Sequence, residues 1–143
     1  MSLKEQDRAT LVVLGLEKSE KMLDAANWLI EEKHWSLAAN RLYYALFHAV
    51  KALLTSDAHP TGTHRGASNL FYLHYVKTGI FSLEENKVYA RLQQLRDDGD
   101  YNCVIDVDKE DVEDFIEPTR ALIEKIKSIL PRNRRSSRVR GDA

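Results

Sequence analysis

The sequence is poor in the residues that interrupt helices or cross-link a chain. It has six glycines, three prolines and one cysteine among 143 residues, which leaves little material for loops. Cys103 has no partner for an internal disulfide and lacks the further cysteines of a structural zinc site. No apolar run is long enough to cross a bilayer, and the first residues lack the apolar stretch of a signal peptide. We therefore expect a cytoplasmic protein.

Length and charge predict one domain with a basic extension. A chain of this length can close one hydrophobic core and is short for two domains. The net charge of -1 conceals an asymmetry, because five arginines and one acid follow Pro131. We expect a helical domain over residues 1–130 and a basic, disordered tail over residues 131–143. Such a tail can contact phosphates, although most basic ends are simply solvated.

Apolar residues recur at helical spacing in five segments. The first predicted helix covers about residues 7–32, and Gly15 predicts that its first turns are frayed or form a separate piece. The second runs from a cap at Ser36 to about Thr55. Its apolar surface is broad, which predicts a central helix in contact with several neighbours. Helix-breaking residues then predict a loop over residues 56–63.

Turn and capping residues set the bounds of the third and fourth predicted helices. The third follows the loop and ends at Gly79, since glycine readily takes the positive φ that ends a helix. Ser82 and Glu85 have the spacing of a capping box at the start of the fourth helix. That helix is predicted to end within residues 97–101.

Asp108 is placed to cap a fifth helix, which Pro131 stops. Pro118 lies inside this segment and predicts a kink or a division into two helices, because proline removes a donor and clashes with the preceding turn. No alternating strand pattern is convincing. The sequence therefore predicts an all-α protein, an up-and-down bundle of about five helices.

Four short motifs occur in a fixed order. They are Arg41-Leu42-Tyr43-Tyr44-Ala45-Leu46-Phe47, His64-Arg65-Gly66, Lys77-Thr78-Gly79, and Arg96 followed by Asp100-Tyr101. Together they resemble the small stand-alone bacterial proteins of the HEPN domain family. The resemblance covers about residues 20–130, and the ordered set is far more specific than any one motif.

The resemblance implies a dimeric helical bundle without a cofactor, often encoded beside an MNT-type minimal nucleotidyltransferase as a toxin and antitoxin pair. Many such toxins cut RNA without metal, using an arginine followed after four to six residues by a histidine at the dimer interface. Here the chain departs from the family. Positions 101 to 103 after Arg96 hold Tyr101, Asn102 and Cys103, and no histidine follows His74.

The missing histidine bears directly on catalysis. Metal-free RNA cleavage needs a group that accepts the 2′-hydroxyl proton near neutral pH, which histidine does well and tyrosine poorly. Arg96 can still stabilise charge on the transferring phosphate. We interpret Arg96, Asp100 and Tyr101 as an RNA- or nucleotide-facing site first and as a catalytic site second. The alternative is an ion pair of Arg96 with Asp100 that ends the helix, with Tyr101 packed on the bundle.

The second predicted helix offers a substitute base. Arg41 and His48 have the arginine–histidine spacing, and the helical repeat places them on one face with Tyr44. If His48 faces Arg96, it can replace the missing base. A histidine on a largely apolar helix is more often a hydrogen-bonded core residue.

The remaining histidines do not predict a metal site. His59, His64 and His74 lack the spacing of helical metal ligands, and no cysteine joins them, so no metal is expected. His64 and Arg65 stand near the start of the third helix, where free N–H groups favour an anion.

These observations lead to two functional hypotheses. The first is a toxin-like component of a two-gene toxin–antitoxin system, a homodimer that acts on or binds RNA, with metal-independent endoribonuclease activity left open. The second is a non-catalytic helical adaptor, or a substrate-binding partner of a minimal nucleotidyltransferase. A third possibility is a dimerising scaffold whose polar motif is only structural.

Overall fold

The computed structural model describes residues 3–59, 61–101 and 107–130, except for the side chains of residues 3 and 98–101. Within these ranges the chain is helical and contains no strand. The helices are α1 (Leu3–Glu31), α2 (Trp35–Ser56), α3 (His64–Phe71), α4 (Leu83–Tyr101) and α5 (Lys109–Ile129), and a π-helical turn (Tyr72–Val76) continues α3. The all-α prediction is confirmed. Residues 131–143, the predicted tail, lie outside the described part.

Helix α2 is the centre of the bundle. It packs against α1, α3, α4 and α5, and more than half of its residues are buried. The predicted central position is therefore confirmed. The predicted cap at Ser36 is wrong: the helix begins at Trp35, with His34 in the N-cap position and no side-chain hydrogen bond there.

Helix α1 is continuous through Gly15, so the prediction of a separate first segment is wrong. Gly15 faces α2 closely. A Cβ atom built on it would lie 3.4 Å from the Ala52 Cβ and 3.5 Å from the His48 carbonyl oxygen. The packing of α1 on α2 thus compensates for the weak intrinsic helix preference of glycine.

The segment between α2 and α4 is fixed by local hydrogen bonds. Thr63 is the N-cap of α3, and its Oγ1 accepts a hydrogen bond from the Gly66 N–H at 2.9 Å. The π-helical turn was not predicted. Its Tyr75 hydroxyl donates to Oδ2 of Asp57 at 2.5 Å, which ties the turn to the end of α2. The helical segment ends at Val76, three residues before the predicted end at Gly79, and Gly79 takes the predicted positive φ, +90°, in the turn that follows.

Both predicted N-terminal caps of the last two helices are confirmed. The Glu85 N–H donates to Ser82 Oγ at 3.0 Å, and the Ser82 N–H donates to Glu85 Oε1 at 2.8 Å. Glu85 also forms an ion pair with Lys125 of α5 at 2.9 Å. Asp108 and Asp111 form the equivalent capping box of α5. One carboxylate, that of Glu85, therefore joins α4 to α5.

Helix α5 continues through Pro118, so the predicted division into two helices is wrong. The proline is exposed, and Thr119, the next residue, is buried and donates from Oγ1 to the Phe115 carbonyl oxygen at 2.5 Å. Ion pairing of Lys127 with Glu20 and a hydrogen bond from Arg120 to Asn27 hold α5 against α1. Val112 before the proline and Leu122 after it are also buried, so packing on both sides of Pro118 keeps the helix in one piece.

None of the helices in the described ranges is long and apolar enough to span a membrane.

Candidate functional site

The first residue of α3 is joined to α2 by an aromatic cluster. Nδ1 of His64 lies 2.8 Å from the buried Tyr43 hydroxyl. The imidazole also stacks on Phe47, with ring centroids 4.3 Å apart, and meets the edge of Tyr44 at 5.7 Å. These contacts fix the orientation of the imidazole and leave Nε2 as the nitrogen able to exchange a proton with a ligand.

Arg96 of α4 enters the same cluster. Its guanidinium carbon lies 5.8 Å from the ring centroids of both Tyr43 and Tyr44, in cation–π range. The Arg96 side chain is only 13% exposed and forms an ion pair with Asp97 at 3.0 Å. The structure thus brings Arg96, Tyr44 and His64 together, three of the residues singled out from the sequence. We call Tyr43, Tyr44, Phe47, His64 and Arg96 the arginine–histidine cluster.

Electrostatics favour a neutral His64. Burial lowers the pKa of His64 below its usual value, and the positive charges of Arg96 and Lys51 lower it further, while Asp97 opposes them. The position at a helix N-terminus also disfavours an imidazolium. Burial raises the pKa of Tyr43, so this residue remains a phenol. A neutral imidazole beside a guanidinium is suited to accept a proton next to an anion.

The predicted partners of Arg96 at the end of α4 fall outside the described side chains. Asp100 and Tyr101 belong to α4. The predicted ion pair of Arg96 with Asp100 lies outside the described side chains. Among the described side chains, Arg96 forms an ion pair with Asp97, which is 48% exposed.

Arg41 and Arg65 lie beside this cluster in sequence. Arg41 is half-buried and donates a hydrogen bond to Oδ1 of Asn40 at 2.6 Å. Arg65 is exposed and follows His64 on α3. The predicted contact of these two residues with RNA or a nucleotide stays a prediction.

His48 belongs to a second surface, a cleft of about 490 Å³ between α1 and α2. Three lysines line this cleft: Lys18, Lys21 and Lys51. Burial lowers the pKa of His48, and Lys18, Lys51 and His64 lower it further. The cleft, hereafter the lysine cleft, holds these three lysines against one acid, Glu17. Lys51 connects it to the arginine–histidine cluster, because its Nζ lies 5.8 Å from the centroid of the Phe47 ring.

Sequence reasoning had treated His64 as an anion-binding residue and His48 as the substitute base for Arg96. The structure instead groups His64 with Arg96, across 32 positions of the chain. Tyr43, which holds the imidazole, enters the sequence analysis only as part of the motif from Arg41 to Phe47. The signal that could have found the pair is the order of the motifs, since His64-Arg65-Gly66 stands where α3 returns to α2.

No group of three histidine, cysteine or acidic side chains within the described ranges is arranged to hold a metal ion. His59 and His74 do meet, with parallel rings 3.8 Å apart. Their contact joins the loop after α2 to the π-helical turn.

Most of the chain is similar to known proteins. The sequence model described as HEPN domain matches residues 13–129. A "UPF0332 protein" of Thermotoga maritima is 31% identical over 124 residues, which cover 87% of this chain and 94% of that protein. "Putative toxin MJ0142" of Methanocaldococcus jannaschii is 29% identical over 80% of this chain and 78% of its own length. "Putative toxin MJ0605" of the same organism is 30% identical over 80% of this chain and 85% of its own length.

Proposed function

This chain belongs to the HEPN domain family, and we propose from that membership that it is the toxin-like component of a two-gene toxin–antitoxin system and acts on RNA. The names of two relatives as putative toxins support the first half of the proposal. The arginine–histidine cluster supports the second half.

The observation that carries the proposal is the meeting of Arg96 and His64 on one surface. Tyr43 holds the imidazole through a 2.8 Å hydrogen bond, and the Arg96 guanidinium packs on the same Tyr43 ring. A guanidinium and a neutral imidazole are the two groups that metal-free cleavage of an RNA phosphodiester needs first. His64 thus acts as the base in place of the histidine that is missing at positions 101 to 103.

The proposed reaction transfers the phosphate within the RNA strand. With Nδ1–H donating to the Tyr43 oxygen, Nε2 of His64 holds the free lone pair and takes the proton from a ribose 2′-hydroxyl. The oxygen of that hydroxyl attacks the adjacent phosphorus. The bond to the 5′ oxygen breaks, and that oxygen receives a proton from the hydroxyl of Tyr44. Arg96 stabilises the added charge on the pentacoordinate phosphate. The products are a 2′,3′-cyclic phosphate and a free 5′-hydroxyl.

The lysine cleft binds the RNA backbone on one side of the reacting phosphate. Lys51 lines the lysine cleft, and its Nζ lies 5.8 Å from the Phe47 ring of the cluster, so its charge lies between the two surfaces. Lys18 and Lys21 extend the positive surface along α1. Backbone contacts of this kind add affinity without sequence preference and weaken as salt rises.

Fluorescence anisotropy with a labelled single-stranded RNA, followed by gel analysis of the products, tests the proposal. Arg96→Gln should weaken binding about tenfold, which corresponds to the loss of one charge-assisted hydrogen bond. His64→Gln should keep the affinity within about threefold and reduce cleavage by a factor of roughly 100 or more. Lys87→Gln is the matched control. Lys87 lies on the same helix, its side chain is 73% exposed, and the substitution also removes one positive charge.

Three outcomes separate the possibilities. Loss of binding in Arg96→Gln but not in Lys87→Gln supports RNA binding at the cluster. Loss of cleavage in His64→Gln supports the catalytic role. Absence of RNA binding by the native chain, or equal binding by Arg96→Gln and Lys87→Gln, contradicts the proposal.

A second candidate function is a non-catalytic adaptor that forms a complex with a minimal nucleotidyltransferase. The observation that favours it is the number of large apolar side chains on the surface, a feature of protein–protein interfaces. They are Leu11, Leu14, Trp28, Leu37, Leu73, Ile80 and Leu83. These side chains equally support the proposed homodimer.

Light scattering and co-purification distinguish a homodimer from a complex with a nucleotidyltransferase, the two roles proposed for these exposed side chains. A homodimer predicts twice the monomer mass for the isolated chain, and Leu83→Lys or Trp28→Lys should shift the mass toward that of the monomer. A complex with a nucleotidyltransferase encoded next to this chain, together with RNA binding but no His64-dependent cleavage, supports the adaptor.

A further inference from the structure

A second groove, lined mainly by polar uncharged side chains, runs between α3 and α4. It has a volume of about 450 Å³, within the usual size range of small-ligand sites. Four carboxamides line it: Asn69 of α3 and Asn86, Gln93 and Gln94 of α4. We call it the amide groove.

Tyr89, a lining residue of the amide groove, has a buried hydroxyl without a hydrogen-bond partner among the described residues. The Tyr89 side chain is 1% exposed. A buried hydroxyl in this state costs about 1–3 kcal/mol relative to a bonded one, which a protein rarely accepts without a reason. Burial raises the pKa of Tyr89, so the hydroxyl remains protonated and able to donate. A ligand seated deeply enough in the groove to bring an acceptor atom to this hydroxyl would satisfy it.

The amide groove adjoins the arginine–histidine cluster. The Tyr89 ring stacks on Tyr43, with centroids 6.3 Å apart, so one aromatic wall is shared. Asp97, the ion-pair partner of Arg96, lines the groove at the same end. Ser68, another lining residue, stands one helical turn after His64 on α3. A molecule whose phosphate lies at Arg96 therefore has its adjoining parts next to the groove.

We propose that the amide groove binds an unpaired nucleobase of the RNA whose phosphate lies at Arg96 and His64, and this inference rests on the function proposed above. Carboxamides present a donor and an acceptor side by side, which matches the edge of a base. Tyr72, 43% exposed at the rim, offers a face for stacking. The lining contains no lysine or arginine, which suits an uncharged base and not a phosphate.

Nucleosides carry a base but no phosphate, so they test base binding in the groove independently of the phosphate site at Arg96. Adenosine, guanosine, cytidine and uridine are titrated into the ¹⁵N-labelled full chain, and the side-chain amide signals are followed by NMR. At least one nucleoside should produce saturable shifts at Asn69, Asn86, Gln93 and Gln94. Gln93→Ala and Asn69→Ala should weaken that binding about tenfold, whereas Gln6→Ala, an exposed glutamine of α1, should not change it.

Tyr89→Phe separates a ligand contact from a structural role. Because the hydroxyl is buried without a partner, its removal should leave the urea midpoint unchanged or higher. Nucleoside affinity should nevertheless fall by about five- to tenfold. Unchanged nucleoside affinity in Tyr89→Phe, Gln93→Ala and Asn69→Ala together overturns the inference.

The two proposals fail in different ways. RNA binding that depends on Arg96, with no preference among homopolymers and no effect of the groove variants, contradicts the base-binding groove and leaves the RNA site standing. Nucleoside binding in the groove without any RNA binding at Arg96 contradicts the proposed RNA function and shows that the groove takes free nucleosides.

Discussion

The Tyr43 hydroxyl and Nδ1 of His64 lie 2.8 Å apart, although 21 positions separate these residues in the chain. Tyr43 is fully buried within α2, and His64 begins α3. The bond therefore fixes where the chain returns to α2 after the loop. It also determines which imidazole nitrogen faces the RNA-binding surface proposed above.

Replacement of Tyr43 by phenylalanine should lower the free energy of unfolding by about 1 kcal/mol, the usual net contribution of one such bond. RNA cleavage should fall more than RNA binding, because the imidazole loses its fixed orientation. Urea denaturation and the two RNA assays measure these effects. Tyr44→Phe is the control for stability alone, since Tyr44 is half-buried on the same helix, and it should change stability by less than about 0.5 kcal/mol. Its hydroxyl is the proposed proton donor, so cleavage should fall in this variant as well. Equal losses of stability in both variants contradict the assigned role of the Tyr43 hydroxyl.

Stability should fall in mildly acidic solution. The folded state lowers the pKa of His64 and His48 below the unfolded value near 6.5, so the unfolded chain binds protons more readily. Above pH 6.5 both groups are neutral in either state and have no effect. As the pH falls through 6.5, stability is lost until the folded-state pKa values are passed.

Urea midpoints at pH 7.5 and pH 5.5 measure this loss. His64→Gln should reduce the difference between the two midpoints, and His34→Gln, at an exposed position, should preserve it. The lowered pKa of Glu85 acts in the same direction but near and below pH 4.5, outside this window. A midpoint that does not change between the two pH values contradicts the prediction.

Two glycines should respond in opposite ways to alanine. Gly15→Ala should raise stability by about 0.5–1 kcal/mol, because the added methyl group finds ordinary contact distances on α2 and alanine favours a helix. Gly66→Ala should lower stability, since its Cβ would collide with the hydroxyls of Thr61 and Thr63. That collision displaces the hydroxyl that caps α3. Thermal unfolding of the two variants beside the native chain gives the comparison, and shifts of the same sign contradict it.

Two serines test the capping assignments. Ser82→Ala should cost about 1 kcal/mol, because it removes the acceptor of the Glu85 N–H at the start of α4. Ser36→Ala should be neutral or slightly stabilising, since Ser36 is exposed inside the first turn of α2 and does not cap it. Chemical denaturation resolves a difference of this size. A larger loss for Ser36→Ala than for Ser82→Ala contradicts the observed caps.

Local signals predicted the parts of the fold that short-range interactions decide. The reciprocal bonds of Ser82 with Glu85, the cap at Asp108 and the positive φ of Gly79 each involve residues within a few positions. Hydrophobic spacing was equally sufficient to identify α2 as the central helix.

Signals that depend on tertiary packing were interpreted wrongly. Gly15 and Pro118 weaken an isolated helix, yet α1 and α5 continue through them because neighbouring helices hold both sides. The grouping of His64 with Arg96 was also missed, since it depends on how the loop returns α3 to α2. The motif order predicted the family. The contact of His64 and Arg96 with the same Tyr43 ring is seen only in the structure.

Glu85 determines more than the start of its own helix. Because the same carboxylate binds Ser82 and Lys125, it fixes the height of α4 along the bundle axis. Arg96 stands eleven residues further on, about 16 Å along that axis. Slippage of α4 by a single turn would carry the guanidinium about 5 Å past the imidazole. The alignment of the two groups thus depends on an anchor at the opposite end of the helix.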